Sequence, residues 1–416
     1  MTTLTKGKKR GIIFLLAFSC LCYNLPYLSS TFYTQFLDAF KLSNKQVGVL
    51  MTMFSLTATP GYLFGGMLAD RFSPKKLIIL SLLLTAALGF IVSFVNGYTI
   101  LMVCYFGFGI STTFIHWSAF LKLIRAQAGP DDQGRTFGFF ELCYAIVGAI
   151  TSYGLLALLG KLSSFRLVTS IYAGILVIVA IIIVFVLKDV DVVEKDNTFS
   201  FKLAGKALAN PVTWLNGFIV MGLFILITGT SYLNPYLSGV FGTSVGFSTS
   251  FSIANRCIVR ILLVSLGGML LDRWKTPKFL ILCCAAMAVS IVAMMLIPQS
   301  HSAMVGGIII AFFIIGFLSI SRSGLYTPIP EAGIPMEITG TAMGICSAVG
   351  YSTDLWLYTL CGKWLDTYGN AGYRYILMLF LAGLALVVLC SILLGKYEKK
   401  HNVFGNQTAE TTVVAE

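Results

Sequence analysis

Charge is what this chain is short of. Only 11% of its 416 residues are Asp, Glu, Lys or Arg, against about 25% in a soluble protein. Acidic residues are scarcer than basic ones, 17 against 29 Lys and Arg, for a formal net charge of +12. Histidine is nearly absent, with three copies. The ten cysteines show no metal-ligand spacing with them, which excludes a recognisable metal cluster. They fall in apolar stretches, as Cys20, Cys22, Cys104, Cys143 and the adjacent Cys283 and Cys284 do. Adjacent cysteines on a helix do not bridge easily, so they read as small hydrophobes. There is no phosphate-cradling glycine loop, which argues against ATP as a driver. No nucleophile–base pair stands out, so neither an enzyme nor a cofactor is expected.

What fills the chain is apolar sequence. Hydrophobic residues make up 57% of it, with a mean hydropathy of +0.87. Stretches of about 20 apolar residues, enough to cross a bilayer as helix, recur from end to end. They predict twelve spans, at 11–36, 46–70, 76–95, 98–122, 135–159, 166–188, 212–238, 246–271, 278–297, 304–326, 338–363 and 372–396. A closed barrel would show short alternating segments instead. The first span is too long for a signal peptide and is expected to stay in the mature protein. The fold class is therefore an all-α membrane protein.

The cations sort by side. With the N-terminus inside, twenty-one of the 29 Lys and Arg fall on inner segments and six on outer loops. The positive-inside rule then predicts both termini in the cytoplasm. The basicity is topological and calls for no nucleic-acid partner. Two cations, Arg256 and Arg260, belong to neither side.

Internal repetition sets the architecture. GGMLADRFSPKKLIIL at 65–80 matches GGMLLDRWKTPKFLIL at 267–282 at nine of sixteen positions. YNLPYLSS at 23–30 matches YLNPYLSG at 232–239, and DDQGRTFG at 131–138 has a weaker echo at 337–344. The offsets are 202, 209 and 206 residues. So constant a register predicts two parallel repeats with a transport site between them. The expected division is a six-helix bundle over 1–188, a cytoplasmic linker over 189–211, a second bundle over 212–398 and a polar tail over 399–416.

The first repeated motif resembles the signature of the major facilitator superfamily, Gly-x-Leu-x-Asp-Arg-x-Gly-Arg-Lys. Gly66, Leu68, Asp70, Arg71 and Lys75 match it, while Ser73 and Pro74 depart from it. A degenerate copy lies around Gly268, Leu270, Asp272 and Arg273. DDQGRTFGFFE and PMEITGTAMGICSAVGYSTD resemble the bacterial YihN-type branch, near the organic-anion and organophosphate exchangers. The resemblance implies a twelve-helix secondary transporter working by alternating access. The residues themselves support a latch. Asp70 at a helix end, with Arg71 and Lys75 beyond it, can pair with cations or cap a neighbouring helix in one state and release it in the other. Asp272 and Arg273 repeat the pattern, while a plain solvated loop is the bland alternative.

Mid-depth polar groups are the candidates for binding. Arg260 lies about 18 Å and Arg256 about 24 Å from the end of span 8 at Asp272. Each costs about 2.5–3.5 kcal/mol to insert and cannot deprotonate. Four apart on a helix, they are expected to share a face and to suit a carboxylate, sulfonate or sugar phosphate. Asp354, about 26 Å into span 11, is the expected partner of one, leaving the other to the substrate. A purely structural Arg–Asp pair is the alternative. Tyr23, Asn24 and Tyr27 in span 1, with Tyr232 and Asn234 in span 7, complete the expected binding set, and Pro26 and Pro235 are expected to kink their helices. Interhelical hydrogen bonding is the plain reading of the same residues. Asp354, Glu141 and His116 are the proton-coupling candidates, with Glu141 about 9 Å into span 5. Glycine runs at 107–109, 134–138 and 340–344 are expected to permit close helix contact.

The expectation is a secondary transporter of a small organic anion, running as an exchanger or a proton symporter. It would sit in the cell inner membrane as a monomer, with a proton or counter-anion as co-substrate. A neutral sugar or polyol transporter and a non-transporting membrane sensor are the alternatives.

Overall fold

A computed structural model describes residues 6–127, 133–187 and 201–400; a few side chains within these, among them Gly66, Asp70 and Asp272, lie outside the description. The described residues are helical, with no strand among them. Each expected span falls on a helical run, with ends displaced by a few residues. Nine stretches of the described residues are long and apolar enough to cross a membrane, and one of them, Ile338–Lys400, contains the last two expected spans.

Polar residues at the loop edges start these helices. Ser43 begins span 2 with a reciprocal cap: its hydroxyl accepts the Gln46 N–H while Gln46 accepts the Ser43 N–H. Ser73 followed by Pro74 starts span 3, and Asn210 followed by Pro211 starts span 7. Proline fits there because the first helical turn has no acceptor for its missing N–H.

Several of the described runs are not continuous α-helix. Span 1 is Lys6–Ser19, a tight 3-10 stretch Cys20–Asn24, a turn, then Leu28–Thr31 and Tyr33–Phe40. Pro26 lies in the turn and offers no N–H to continue the ladder. Span 7 tightens at Thr230–Tyr232, just before Pro235. Span 11 breaks at Ser352–Leu355. Spans 4 and 8 instead widen into π-helix, at Ile110–Trp117 and Asn255–Val259. Such bulges insert extra chain into a helix and gather at functional sites.

Packing divides the chain into two compact units, and their limits are not those of the sequence repeats. The first holds 1–196, 231–261 and 354–372; the second holds 197–230, 262–353 and 373–416. In the first, span 2 lies close against span 4. A Cβ at Gly109 would strike Thr57 and the Phe54 carbonyl, and one at Gly61 would strike Thr113. Phe32, Leu50, Met51, Tyr105 and Tyr172 fill the interior. In the second unit, Gly222 of span 7 and Gly383 of span 12 bring backbone against backbone. Many large apolar side chains face outward, Phe185 at 83% exposure and Leu296 at 78% among them, as a lipid-facing surface requires.

One expectation needs correction. Glycine permits close approach at 109, but nothing lies within 4 Å of a Cβ at Gly138, Gly340 or Gly344. Those positions are open in this structure. The stretch read as linker, 189–211, ends in helix: Phe201–Ala209 and the start of the next helix at Pro211 occupy its second part. Residues 188–200 of that segment and 401–416 of the tail lie outside the described residues.

Candidate functional site

The π-turn in span 8 organises the polar residues of the first unit. Arg256 sits on it and Arg260 follows it immediately. Asn255 donates its amide N–H to the Phe251 carbonyl at 2.8 Å, supporting the helix where its regular ladder changes register. With about one extra residue per turn, the turn alters the angle between the two arginines. They reach different helices. Arg256 donates from Nη1 to the Thr31 hydroxyl of span 1 at 3.2 Å, and its guanidinium lies 5.3 Å from the centre of the Tyr27 ring. Arg260 reaches span 5, where Nη2 lies 3.4 Å from Glu141 Oε2.

The expected single counter-charge is therefore incomplete. Glu141 also belongs to the arginines, although counting along span 5 places it shallow. Counting at 1.5 Å per residue locates Cα atoms; a guanidinium on its long stem bridges the remaining distance. Arg260 and Glu141 keep 34% and 53% of their side-chain surface open. Arg256 is also exposed, while Asp354 is buried at 8% in the tight turn of span 11. Asp354 has interactions of its own and is not a free carboxylate. Its charge and that of Arg256 both act on Tyr27 and on Tyr358, so the two charges share one neighbourhood.

Spans 1 and 5 complete it. Tyr144, three residues after Glu141, donates its hydroxyl to Asn24 Oδ1 at 3.2 Å, and both arginines act on it electrostatically. Thr31 lies at the end of the short Leu28–Thr31 helix, buried, and its carbonyl accepts the Asn234 side-chain N–H at 3.0 Å. Thr31 and Tyr144 were missed in the sequence. Tyr144 carries a readable signal, since it lies one turn from Glu141 on the same helix face. Thr31 carries none, because only the break in span 1 turns it toward span 8.

Other expected residues go elsewhere. Tyr23 diverges from Tyr27 because span 1 breaks between them; its hydroxyl meets His116 Nδ1 at 3.0 Å. His116 Nε2 meets Ser19 Oγ at 3.1 Å, and Ser19 donates to the Leu16 carbonyl at 2.7 Å. Ser19 thus accepts the Nε2–H, and the Tyr23 hydroxyl at Nδ1 closes the network on the other side of the ring. His116 is fully buried there, with both nitrogens engaged. Tyr232 and Asn234 are buried as well. Tyr232 donates to the Tyr358 carbonyl at 2.9 Å, so both tie helices together.

The loop motif is described only in part. Arg71 and Arg273 are exposed, and Lys75 donates to the Val184 carbonyl at 2.9 Å. The Gly66, Asp70 and Asp272 side chains lie outside the described set, so the expected latch rests on sequence.

The arginines and Glu141 form a partly exposed charged cluster on interrupted helices, an arrangement that transporters share. The chain is 27% identical over 384 residues to the inner membrane protein YihN of Escherichia coli (strain K12), covering 89% of this chain and 91% of that one. It is 25% identical over 386 residues to the inner membrane protein YqcE of the same strain, covering 89% and 91%. Among solved structures it resembles a bacterial homologue of the human lysosomal transporter Spinster in an inward-facing, occupied conformation. That match has a TM-score of 0.70 at 15% identity and covers 95% and 98% of the two chains. The nucleoside transporter NupG matches with a TM-score of 0.70 at 13% identity, covering 94% and 99%. The model of the Major Facilitator Superfamily matches residues 11–353, and the chain belongs to that superfamily.

Proposed function

We propose that this chain is a secondary transporter that moves a small organic anion across the inner membrane, with Arg256 as the primary anion contact. The observation that carries the reading is the setting of Arg256. It is a permanent cation in the middle of an apolar span, exposed, and held by a hydroxyl and an aromatic ring, neither of which bears charge. A carboxylate, sulfonate or phosphate matches the donor geometry of its guanidinium.

Arg260 and Glu141 supply the coupling. Their single 3.4 Å contact between half-open side chains is worth about 0–1 kcal/mol and opens readily. A proton on Glu141, or an arriving anion, releases Arg260. The first route makes a proton symporter and the second an exchanger. The two halves, 1–188 and 212–398, are the moving bodies of this reading, with both termini in the cytoplasm. YihN and YqcE are named as inner membrane proteins, which supports the location.

One observation favours a second reading. Two carboxylates, Glu141 and Asp354, lie in the neighbourhood of two arginines, and a balanced set of that kind suits a neutral sugar or polyol. NupG is named as a nucleoside transporter, which shows the fold serving a substrate of that type. Uptake into proteoliposomes from a panel of sugar phosphates, sugar acids, sulfonates and neutral sugars separates the readings. Flux of an anion, lowered at least about tenfold by Arg256→Ala as expected for a lost charged contact, supports the proposal. Flux of a neutral sugar that survives Arg256→Ala overturns it. Binding without flux returns the chain to a sensor.

A further inference from the structure

The start of span 2 in the first unit holds an arrangement that neither the loop motif nor the arginines account for. Span 2 begins at Asn44. A helix start leaves its first N–H groups without intrahelical acceptors, and here each of the first three has an identified partner. The Gln46 N–H goes to the Ser43 hydroxyl at 3.3 Å, completing the local cap. The Asn44 and Lys45 N–H groups instead go to Asp366 of span 11, at 2.9 and 2.8 Å. Asp366 Oδ1 also accepts the Asn44 side-chain N–H at 2.8 Å. The other end of that amide accepts the Tyr33 hydroxyl at 2.8 Å. A carboxylate more than three hundred residues away thus caps the helix.

The helices beneath the cap are shaped to meet. A Cβ at Gly48 would strike the Tyr358 carbonyl, and one at Gly362 would strike the backbone of Asn44 and Lys45. One turn deeper, the Thr52 and Thr359 hydroxyls bond at 2.9 Å. On span 2 the contacts come from residues 44, 48 and 52, and on span 11 from 359, 362 and 366. Both series keep to one helix face, so the stripe is continuous.

We propose that Asp366 is a gate residue, a clasp that joins the ends of spans 2 and 11 in the closed state of this end of the unit and lets go in each transport cycle. Its chemistry suits reversal. Asp366 and Lys45 are exposed, so when the helices part, water takes over the carboxylate and the two N–H groups. The closed state gains a favourable carboxylate–helix-start contact without burying a charge. The threonine pair and the glycines below exclude bulk while closed and leave no long side chains to disentangle on opening. The inference does not depend on what the transporter carries.

The test reads opening directly. Thr52→Cys is placed in the otherwise native chain and labelled in proteoliposomes with a membrane-impermeant maleimide from the side on which span 2 begins. The same protein without the added cysteine gives the background. Adding Asp366→Ala is expected to raise the labelling rate about five-fold, the effect of losing one helix cap. Asp366→Asn, which keeps the shape and part of the acceptor capacity, is expected to fall between. Lys363→Ala, an exposed change on the same helix, is the control and is expected to leave the rate alone. Unchanged labelling in both Asp366 variants, each confirmed monodisperse by gel filtration, overturns the clasp. An equal rise in Lys363→Ala also overturns it, because any disturbance of span 11 would then do the same.

Discussion

Two helix pairs in the first unit answer the same design problem differently. Spans 2 and 11 cross with glycines against backbone at Gly48 and Gly362, and a carboxylate makes three hydrogen bonds of 2.8–2.9 Å. Spans 5 and 8 are their counterparts under the internal repeat. There a Cβ at Gly148 would sit 3.6 Å from Cys257 Sγ, an ordinary contact. One ion pair, at 3.4 Å, joins Glu141 to Arg260 between half-open side chains. The first crossing is a backbone seal. The second is spanned by side chains, with the Tyr153 hydroxyl also donating to the Ser250 carbonyl at 3.1 Å. Small residues closed one copy, and arginines with a π-turn opened the other.

The largest break in that contrast comes from filling the seal. Gly48→Val puts a branched side chain onto the Tyr358 carbonyl, where only backbone can move. Overpacking of this kind costs about 1–3 kcal/mol, so thermal unfolding in detergent should shift clearly downward, with transport lost. Gly148→Ala, at the open crossing, should leave the unfolding temperature nearly unchanged. Equal destabilisation by the two substitutions would remove the distinction between sealed and open pairs.

Changing the charged crossing should do the reverse, sparing the fold and altering function. Glu141→Gln removes a contact worth about 0–1 kcal/mol, so the unfolding temperature should stay close to that of the native protein. Gln cannot take up a proton. If Glu141 carries one, flux driven by a pH gradient should fall at least about tenfold, while exchange of substrate at equal concentrations persists. Retained pH-driven flux in this variant would remove Glu141 from the coupling and leave exchange as the mechanism.

The readable and unreadable parts of this chain divide along physical lines. Span positions were legible because crossing a bilayer demands length and apolarity, which are properties of the sequence itself. The repeats were legible because GGMLADR and GGMLLDR kept their register. Arg256 and Arg260 were legible because a charge in an apolar run stands out. Their partners were not. The π-turn at Asn255–Val259 changes the angle between them, and no residue preference marks a π-turn from outside. Glu141 was counted as shallow because rise per residue places Cα atoms and ignores side-chain length. Tyr23 and Tyr27, members of one expected binding set, separate because the regular helix of span 1 ends at Ser19. Asp366 gave no signal, since its role depends on a helix start 322 residues away in sequence.

Thr31 offers the smallest and most discriminating change at the open crossing. Its hydroxyl accepts from Arg256 Nη1 at 3.2 Å, while its carbonyl separately accepts from Asn234 at 3.0 Å. Thr31→Val keeps the shape and the carbonyl and removes only the hydroxyl. The guanidinium of Arg256 is exposed, so water can replace the lost acceptor and the cost is one ordinary hydrogen bond, about 1 kcal/mol. What is lost is aim: the side chain keeps its charge but not its fixed direction. The expected result is a rise in KM of about fivefold, an unchanged unfolding temperature, and rescue by Thr31→Ser. A fall in stability with KM unchanged would make the Thr31 hydroxyl a structural tie between spans 1 and 8 and not a guide for Arg256. A raised KM at unchanged stability distinguishes the two, and rescue by serine assigns the effect to the oxygen that serine keeps and not to the methyl group that it lacks.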